Sequence, residues 1–199
     1  MYQNNNSYKV VTLGETGVGK TTLITAYKLK KFDKHSITTI GAAFCKLNYV
    51  SKRDNDNFDI WDTAGQERYR CLAQMYYRGA DVILYCFSLT DKNSLREVKY
   101  WIDKVNRTED KDKYSIMIGI KKDLWDKDYL NEDDIRDISF SFNIPYVLVS
   151  CKDIKDVDKC FHYIFEEAIK TVKLPINDMI TLPSHPVTLK QKLKSKCCE

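Results

Sequence analysis

The 199-residue sequence lacks several features that would define a class of protein at once. No apolar run approaches the roughly 18 residues that a membrane-spanning helix needs, so no such helix is predicted. The seven cysteines are scattered, none of their spacings fits a zinc site, and their odd number fits a disulfide framework poorly. The first residues, MYQNNNSY, hold neither a basic stretch nor an apolar core, so no secretory signal is predicted. These absences favour a reduced protein that faces the cytosol.

The sequence also has little excess charge. Its formal net charge is +4 at pH 7, which gives no reason to expect a nucleic-acid partner. From position 171 onward, five lysines stand against one Asp and one Glu, and this stretch holds three of the four prolines. We therefore predict one domain over residues 1–171 and an extended, mildly basic tail over residues 172–199.

Apolar runs alternate with segments of helical periodicity along the first 172 residues. This alternation predicts an α/β fold, a doubly wound and mostly parallel six-stranded sheet with helices on both faces. Ligands of such sheets bind beyond the carboxyl ends of the strands, and the motifs described below follow strands directly. The predicted strands are 8–13, 42–50, 57–61, 82–87, 115–120 and 146–149, and the predicted helices are 20–31, 93–107, 131–142 and 156–172.

The stretch GETGVGKT, residues 14–21, matches the motif G-x-x-x-x-G-K-[ST] in full and stands between a predicted strand and a predicted helix. Backbone N–H groups of such a loop bind phosphates, helped by the helix N-terminus. Lys20 would reach the β- and γ-phosphates, and the Thr21 hydroxyl would hold Mg²⁺. By itself, the loop predicts that the chain binds a nucleoside triphosphate. An ATP-using kinase or ATPase remains an alternative at this point. The predicted phosphate-site residues are Gly14, Glu15, Thr16, Gly17, Val18, Gly19, Lys20, Thr21 and Thr22.

The stretch from 58 to 80, FDIWDTAGQERYRCLAQMYYRGA, is the most specific in the chain. Asp62 ends a predicted strand, where its carboxylate can hold Mg²⁺, most readily through water. Gly65 can donate its N–H to a γ-phosphate, and Gln66 can orient an attacking water, which makes Gln66 the candidate catalytic residue. WDTAGQERYR and YYRGA resemble the Rab family of the Ras superfamily, and TTIGAAF at 38–44 resembles the switch I sequence of its early-endocytic branch. The resemblance covers about residues 8–170.

Membership of that family would imply a switch that binds GTP or GDP with Mg²⁺ and hydrolyses GTP slowly. The resemblance makes Thr39 a ligand of Mg²⁺ and of the γ-phosphate, beside Thr21 and Asp62. It places Phe32 against the base. It also implies that a monomeric domain meets effectors, an exchange factor, a GTPase-activating protein, and prenylation and membrane-extraction chaperones.

Three aromatic residues match the triad that Rab effectors contact: Phe44, Trp61 and Tyr76. Exposed aromatic side chains are good binding anchors, which favours an effector-binding surface. Plain packing in the core is the alternative for each of them.

Two further loops resemble the base-binding motifs of the family, IGIKKDL at 118–124 and VSCK at 149–152. The Asp123 carboxylate can accept from N1–H and from the 2-amino group of guanine, a donor pair that adenine lacks. The stem of Lys121 can lie along the base, and the backbone N–H of Cys151 can reach guanine O6. These loops disfavour an ATP-using enzyme. The predicted base-site residues are Lys121, Asp123, Ser150, Cys151 and Lys152.

Ile120 stands where the family motif N-K-x-D has its asparagine. That asparagine would bond near N7 of the base and tie this loop to the phosphate loop, and Ile120 can do neither. Losing one buried polar contact costs roughly 1–3 kcal/mol, so we expect nucleotide affinity to be lower by roughly one to three decades, mainly through faster release. Ile120 could also simply extend the apolar strand IMIGI. A binding module with weak nucleotide retention and little turnover is therefore a second hypothesis, after a Rab-type GTPase in vesicle traffic.

The chain ends KSKCCE, which is not a C-a-a-X box because position 196 is a lysine. Paired cysteines at the end resemble the double-prenylation signal of Rab proteins. Two geranylgeranyl chains, on Cys197 and Cys198, would anchor the protein stably, and the neighbouring lysines would favour an anionic leaflet. Unmodified surface cysteines are the alternative. The predicted location is the cytosolic face of an intracellular membrane, with the endosome as the candidate, in exchange with the cytosol.

Overall fold

The structure of this chain is a computed structural model, and it describes residues 6–35, 38–50, 55–108 and 113–172. Its strands are β1 (Ser7–Leu13), β2 (Ala42–Val50), β3 (Asn55–Thr63), β4 (Val82–Ser88), β5 (Tyr114–Ile120) and β6 (Tyr146–Val149). Its α-helices are α1 (Lys20–Leu29), α2 (Arg70–Tyr77), α3 (Lys92–Thr108), α4 (Glu132–Phe142) and α5 (Ile154–Thr171), and short 3₁₀ turns cover Glu67–Tyr69 and Lys122–Leu124.

The six strands form one sheet in the order β2-β3-β1-β4-β5-β6. β1 pairs in parallel with β3 and β4, and β5 pairs in parallel with β4 and β6. Among the described strands, β2 alone runs antiparallel to its neighbour, β3. Helices pack on both faces, and every residue of the central strand β4 is buried. The predicted doubly wound α/β fold is confirmed.

Short polar side chains set where the later helices begin and end. Asn131 caps α4 by accepting from Asp134 N at 2.8 Å, and Asp153 caps α5 by accepting from Lys155 N at 3.0 Å. α4 ends at Phe142, and Asn143 after it takes the left-handed conformation that terminates helices. All predicted strands and helices agree with the observed ones to within two residues at each end. The apolar pattern does not predict α2.

Two apolar clusters hold the helices on the sheet. α1 and α5 cover one face, and α2, α3 and α4 cover the other. On the first face, Phe165 of α5 stacks on Phe58 of β3 with ring centroids 3.9 Å apart, and Phe161 of α5 stacks on Tyr27 of α1 at 4.2 Å. Because Phe165 and Phe161 are fully buried, the packing of α5 contributes strongly to stability.

Parallel pairing brings the predicted motifs to one edge of the sheet. The phosphate motif follows β1, Asp62 lies at the end of β3, and the loops after β5 and β6 begin at Lys121 and Ser150. Because these strands point the same way, their carboxyl ends meet at the edge where open α/β sheets bind ligands.

The predicted tail begins where the described part of the chain ends. α5 finishes at Thr171, and residues 173–199, with both cysteines of the predicted lipid anchor, lie outside the described residues. The boundary between domain and tail stays a prediction. Within the described residues, no helix combines the length and the apolar character needed to cross a membrane.

We expect Phe165→Ala to lower the free energy of unfolding by about 3–5 kcal/mol, because it removes a buried ring that stacks on Phe58. Phe140 of α4 is 89% exposed and provides a matched control. Phe140→Ala should change the free energy of unfolding by less than about 0.5 kcal/mol. Urea denaturation followed by circular dichroism measures both variants, and equal losses would contradict the burial of Phe165.

Candidate functional site

The phosphate motif forms a tight loop between β1 and α1. Gly14 has a φ of 147°, and a Cβ there would lie 2.1 Å from the carbonyl oxygen of Cys86, so this position requires glycine. The buried Lys20 side chain turns back under the loop, and its Nζ donates to the carbonyl oxygens of Gly14 and Glu15, both at 2.9 Å. Burial lowers the pKa of Lys20, while the nearby charge of Asp62 acts to raise it.

Three side-chain oxygens converge beside this loop. Thr21 Oγ1 donates to Asp62 Oδ2 at 2.6 Å, and Thr39 Oγ1 lies 2.7 Å from Thr21 Oγ1 and 3.4 Å from Asp62 Oδ2. Burial raises the pKa of Asp62, and the hydrogen bonds from the hydroxyls and the charge of Lys20 act to lower it. A carboxylate and two hydroxyls are hard oxygen donors of the kind that Mg²⁺ takes together with phosphate oxygens, so this set fits Mg²⁺. Among the described residues, no group of three or more His, Cys, Asp or Glu could hold a metal ion.

Thr12 of β1 supports Asp62, a role that the motifs do not predict. Thr12 Oγ1 donates to Asp62 Oδ1 at 3.3 Å and accepts from Thr63 N at 3.2 Å. Thr63 Oγ1 in turn donates to the Thr12 carbonyl oxygen at 2.5 Å. Thr12 precedes the phosphate motif, so only the register of the sheet, which sets Thr12 opposite Asp62, could have revealed it.

The loop after β3 lies directly against the phosphate loop. Gly65 is buried, and a Cβ there would fall 2.4 Å from both Glu15 C and Thr16 N, so a larger residue would have to move the backbone. Gln66 follows, half-buried, and its carbonyl oxygen accepts from Tyr69 N at 3.0 Å. The candidate catalytic glutamine therefore starts a turn that is anchored on the phosphate loop.

Two adjoining pockets form one cleft along this edge of the sheet. The pocket of about 220 Å³ lies toward β5 and β6, and the pocket of about 200 Å³ lies over the phosphate loop. Both are lined by Gly17, Gly19, Thr22 and Lys34, so one extended ligand can occupy them together. The first is also lined by predicted base-site residues: Phe32, Lys121, Asp123, Cys151 and Lys152.

The cleft does not include every predicted site residue. The Val18 side chain is buried in the core, and the other predicted residues of the nucleotide site that line neither pocket are Gly14, Glu15, Asp62, Gln66 and Ser150. Lys34, Thr38 and Leu124 line the cleft although none of them is a predicted site residue, and only Thr38 and Leu124 fall within the quoted stretches TTIGAAF and IGIKKDL. Their positions in loops, where spacing follows no period, explain why the sequence does not reveal them.

Asp123 is held by two donors at the pocket toward β5 and β6, the base pocket. Ser150 Oγ donates to Asp123 Oδ1 at 2.7 Å, and Lys152 Nζ lies 2.9 Å from Asp123 Oδ2. The hydrogen bond from Lys152 holds the pKa of Asp123 below its usual range. The Ser150 N–H donates to Asp156 Oδ2 at 3.0 Å, which fixes Ser150 in turn. Lys121, with a left-handed φ of 67°, turns the chain from β5 into the 3₁₀ turn that carries Asp123.

Ile120 lines the pocket toward β5 and β6. It is fully buried and belongs to the same apolar cluster as Val18, Val149 and Cys151. A Cβ added to Gly19 would lie 3.1 Å from Ile120 Cγ2, so the side chain packs directly against the phosphate loop. The expectation that Ile120 does not tie the two loops needs correction, because an apolar contact replaces the hydrogen bond. The alternative that Ile120 extends the apolar strand also holds, since it is the last residue of β5.

The three predicted effector-binding aromatic residues form one continuous group. The ring centroids of Phe44 and Trp61 are 5.3 Å apart, and those of Trp61 and Tyr76 are 5.7 Å apart. Phe44 is 55% exposed, whereas Trp61 and Tyr76 are half-buried against the core. Core packing therefore explains the buried part of the Trp61 and Tyr76 side chains, whereas it does not explain the exposed Phe44 side chain. Nearby segments expose further apolar side chains, at Ile40 before β2 and at Leu72 and Met75 in α2.

Comparison with known proteins agrees with this geometry. Residues 9–170 match the Ras family. The chain is 32% identical over 154 residues to the GTP-binding protein ypt1 of Schizosaccharomyces pombe, covering 77% of this chain and 76% of ypt1. It is 29% identical over 190 residues to the Ras-related protein Rab-1D of Dictyostelium discoideum, covering 95% and 91% of the two chains. It is also 29% identical to the GTP-binding protein ypt3 of Schizosaccharomyces pombe, covering 96% and 95%.

We expect Lys152→Met to raise the pKa of Asp123 toward the ordinary aspartate value of 3.8, because it removes the donor that lowers this pKa most. The pKa of Asp123 is lower in the folded protein than in the unfolded chain. The contact therefore stabilises the fold at pH values above the pKa that Asp123 has in the unfolded chain. Its contribution to stability is lost as the pH falls through the pKa that Asp123 has in the folded protein. The variant should therefore be less stable than wild type at neutral pH, and the difference should vanish in acid.

Lys122→Met is the matched control, because Lys122 Nζ lies 3.5 Å from Asp156 Oδ2 and does not contact Asp123. NMR titration of the Asp123 carboxyl carbon measures the pKa in each protein. An Asp123 pKa that is the same in the Lys152→Met variant, the control and the wild type would contradict the assigned contact.

Proposed function

Because this chain belongs to the Ras family and, within it, to the Rab group of small GTPases, we propose that it is a GTP/GDP switch that recruits effectors in vesicle traffic. The observation that carries the proposal is the cleft in which the phosphate loop, the hydroxyls of Thr21 and Thr39, and the base pocket meet, with the Asp62 carboxylate bonded to Thr21 beside it. Asp123 supports guanine as the base, because adenine lacks its pair of donors and would leave the carboxylate without partners.

The proposed hydrolysis depends on groups that already lie at the loop. The buried Lys20 donates through Nζ to two loop carbonyls, so this nitrogen stands where the phosphates would bind. Thr21, Thr39 and Asp62 would hold Mg²⁺, which neutralises phosphate charge when bound. Gln66 orients the attacking water. Positioning alone leaves the charge of the transition state poorly neutralised, so hydrolysis is slow until a partner supplies an arginine, which could add about 10³–10⁵ in rate.

The two nucleotide states would differ in what holds Thr39 and Gly65. With GTP, the Thr39 hydroxyl and the Gly65 N–H bind the γ-phosphate side of the site, which orders the loops that carry them, and hydrolysis releases both. The contact of Gly65 with the phosphate loop and the 2.7 Å between the Thr21 and Thr39 hydroxyl oxygens support this account. Phe44 and Trp61 lie on strands next to these loops, so the change reaches the proposed effector-binding surface.

Ile120 governs how firmly the nucleotide is held in this proposal. Its side chain offers the base neither a donor nor an acceptor, so release is faster than with asparagine at this position. The same observation favours a second candidate function, a binding module that recruits partners with little turnover. The packing of Ile120 on Gly19 keeps the two loops together in either case.

The proposed membrane attachment lies in the tail. Geranylgeranyl groups on Cys197 and Cys198 would hold the switch on the cytosolic face of an intracellular membrane. The endosomal assignment rests on the IGAAF sequence alone and stays a prediction, as do the monomeric state, the regulators and the chaperones. Rab and Ypt relatives support the broader proposal of a role in membrane traffic.

We expect freshly purified protein to release a guanine nucleotide on denaturation, and we expect Ile120→Asn to slow GDP release. The variant restores one polar contact to the base, which corresponds to a slowing of about ten- to a thousandfold. Ile120→Val, which is shorter but equally apolar, is the matched control and should not slow release. Fluorescent GDP chase experiments give all three rates.

Three outcomes would contradict these expectations. Stoichiometric GDP with slow release in wild type and both variants would rule out weak retention. Bound adenine nucleotide would overturn the assignment of guanine. An empty wild-type protein together with a filled Ile120→Asn variant would favour the binding-module function.

We expect Gln66→Leu to lower the single-turnover rate of GTP hydrolysis by at least about a hundredfold, because it removes the group that orients water. Gln74→Leu changes an exposed glutamine of α2 and should leave this rate unchanged. Phosphate release from preloaded GTP measures the rate in both variants. A Gln66→Leu rate equal to that of wild type would remove Gln66 from the mechanism.

A further inference from the structure

Arg70, the first residue of α2, lies between carboxylates from two other elements. Its Nη2 is 3.3 Å from Glu15 Oε2 in the phosphate loop and 2.8 Å from Glu97 Oε2 in α3. The guanidinium carbon also lies 5.4 Å from the centroid of the Tyr100 ring. The three charged side chains are only 25–31% exposed, so solvent screens their attraction less than that of an open surface pair.

The same phosphate-loop residue anchors the other end of this segment. The backbone of Gly65 packs on Glu15, since a Cβ at Gly65 would lie 2.4 Å from Glu15 C. Residues 65–70 therefore begin and end on Glu15, through a backbone contact at one end and an ion pair at the other. Gln66 stands between these two anchors, at the start of the 3₁₀ turn Glu67–Tyr69 that leads into α2.

Glu15 itself is fixed in a direction that suits this role. Its Oε1 accepts from the backbone N–H of Thr16 at 3.1 Å, which leaves Oε2 turned toward Arg70. A carboxylate held by its own loop loses little conformational freedom when it pairs with Arg70. Glu97 is likewise carried by a helix, α3, that packs on the sheet.

We propose that Arg70 is a positioning residue for Gln66, a latch that holds the turn bearing this glutamine against the phosphate loop. This inference rests on the proposed hydrolysis of GTP. Without the Arg70 charge, Glu15 and Glu97 repel each other, and the packing of Gly65 alone holds the turn. Displacing a catalytic group by even a small distance lowers the rate of the reaction. The latch therefore acts on the chemical step rather than on nucleotide affinity.

Arg70→Gln should lower the single-turnover rate of GTP hydrolysis by about tenfold, while GDP release changes by less than about twofold. Arg70→Lys should recover part of the rate, because it keeps the charge but not the planar fork. Glu97→Gln should cause a smaller loss, and the losses of Arg70→Gln and Glu97→Gln should not multiply in the double variant, since both variants break the Arg70–Glu97 ion pair. Arg68→Gln is the matched control, because Arg68 is exposed in the same turn and forms no ion pair within the described residues.

Hydrogen–deuterium exchange of GDP-loaded protein provides a readout that does not depend on hydrolysis. Peptides covering 66–77 should exchange faster in Arg70→Gln than in Arg68→Gln, while peptides of α5 exchange equally. An unchanged hydrolysis rate in Arg70→Gln, or a loss that follows GDP release or the melting temperature, would overturn the proposal. If wild type hydrolyses no GTP, the proposed function fails, and the exchange of 66–77 alone decides the latch: equal exchange in the two variants overturns it.

Discussion

The parallel register of β1 against β3 is the constraint on which the site depends. It sets Thr12 opposite Asp62, where the threonine hydroxyl supports the carboxylate. A shift by one residue would turn Asp62 to the other face of the sheet, since side chains alternate along a strand. The same register brings Gly65 so close to Glu15 that a single added carbon would collide with the backbone. The phosphate loop and the Gln66 turn therefore fit together only in this pairing, which the apolar clusters on both faces protect.

This close pairing buries two opposite charges, and the protein alone does not fully compensate either. Lys20 and Asp62 are 5% and 4% exposed. Burial lowers the pKa of Lys20 and raises that of Asp62, so in both groups it opposes the charged form. Two loop carbonyls and three threonine hydroxyls offset part of this cost. A phosphate beside Lys20 and a cation beside Asp62 would offset more of it, so binding at this site should also stabilise the fold.

Sequence patterns predict the fold and the motif loops well because both follow short-range rules. Continuous apolar runs identify β4 and β5, and the glycine-rich motif identifies the turn before α1. The contacts that the motifs do not predict join residues far apart in the chain. Thr12 meets Asp62 across fifty positions, and Arg70 meets Glu15 across fifty-five. The apolar pattern does not predict α2, because only Ala73 and Tyr77 of its eight residues are buried. Such features follow from tertiary packing, which periodicity does not encode.

Ile120 illustrates how one substitution separates the choice of nucleotide from its retention. An asparagine in this buried wall would have polar groups that need partners, and an empty base pocket would leave some of them unsatisfied, at a cost of roughly 1–3 kcal/mol. Ile120 has no such groups, and its contacts with the core and with Gly19 do not involve a base. If the chain binds nucleotide as proposed, Ile120 would therefore stabilise the empty form relative to asparagine and, by linkage, weaken binding. Asp123, held by Ser150 and Lys152 rather than by Ile120, lines the pocket. The proposed preference for guanine would thus survive a change that, in the same proposal, speeds its release.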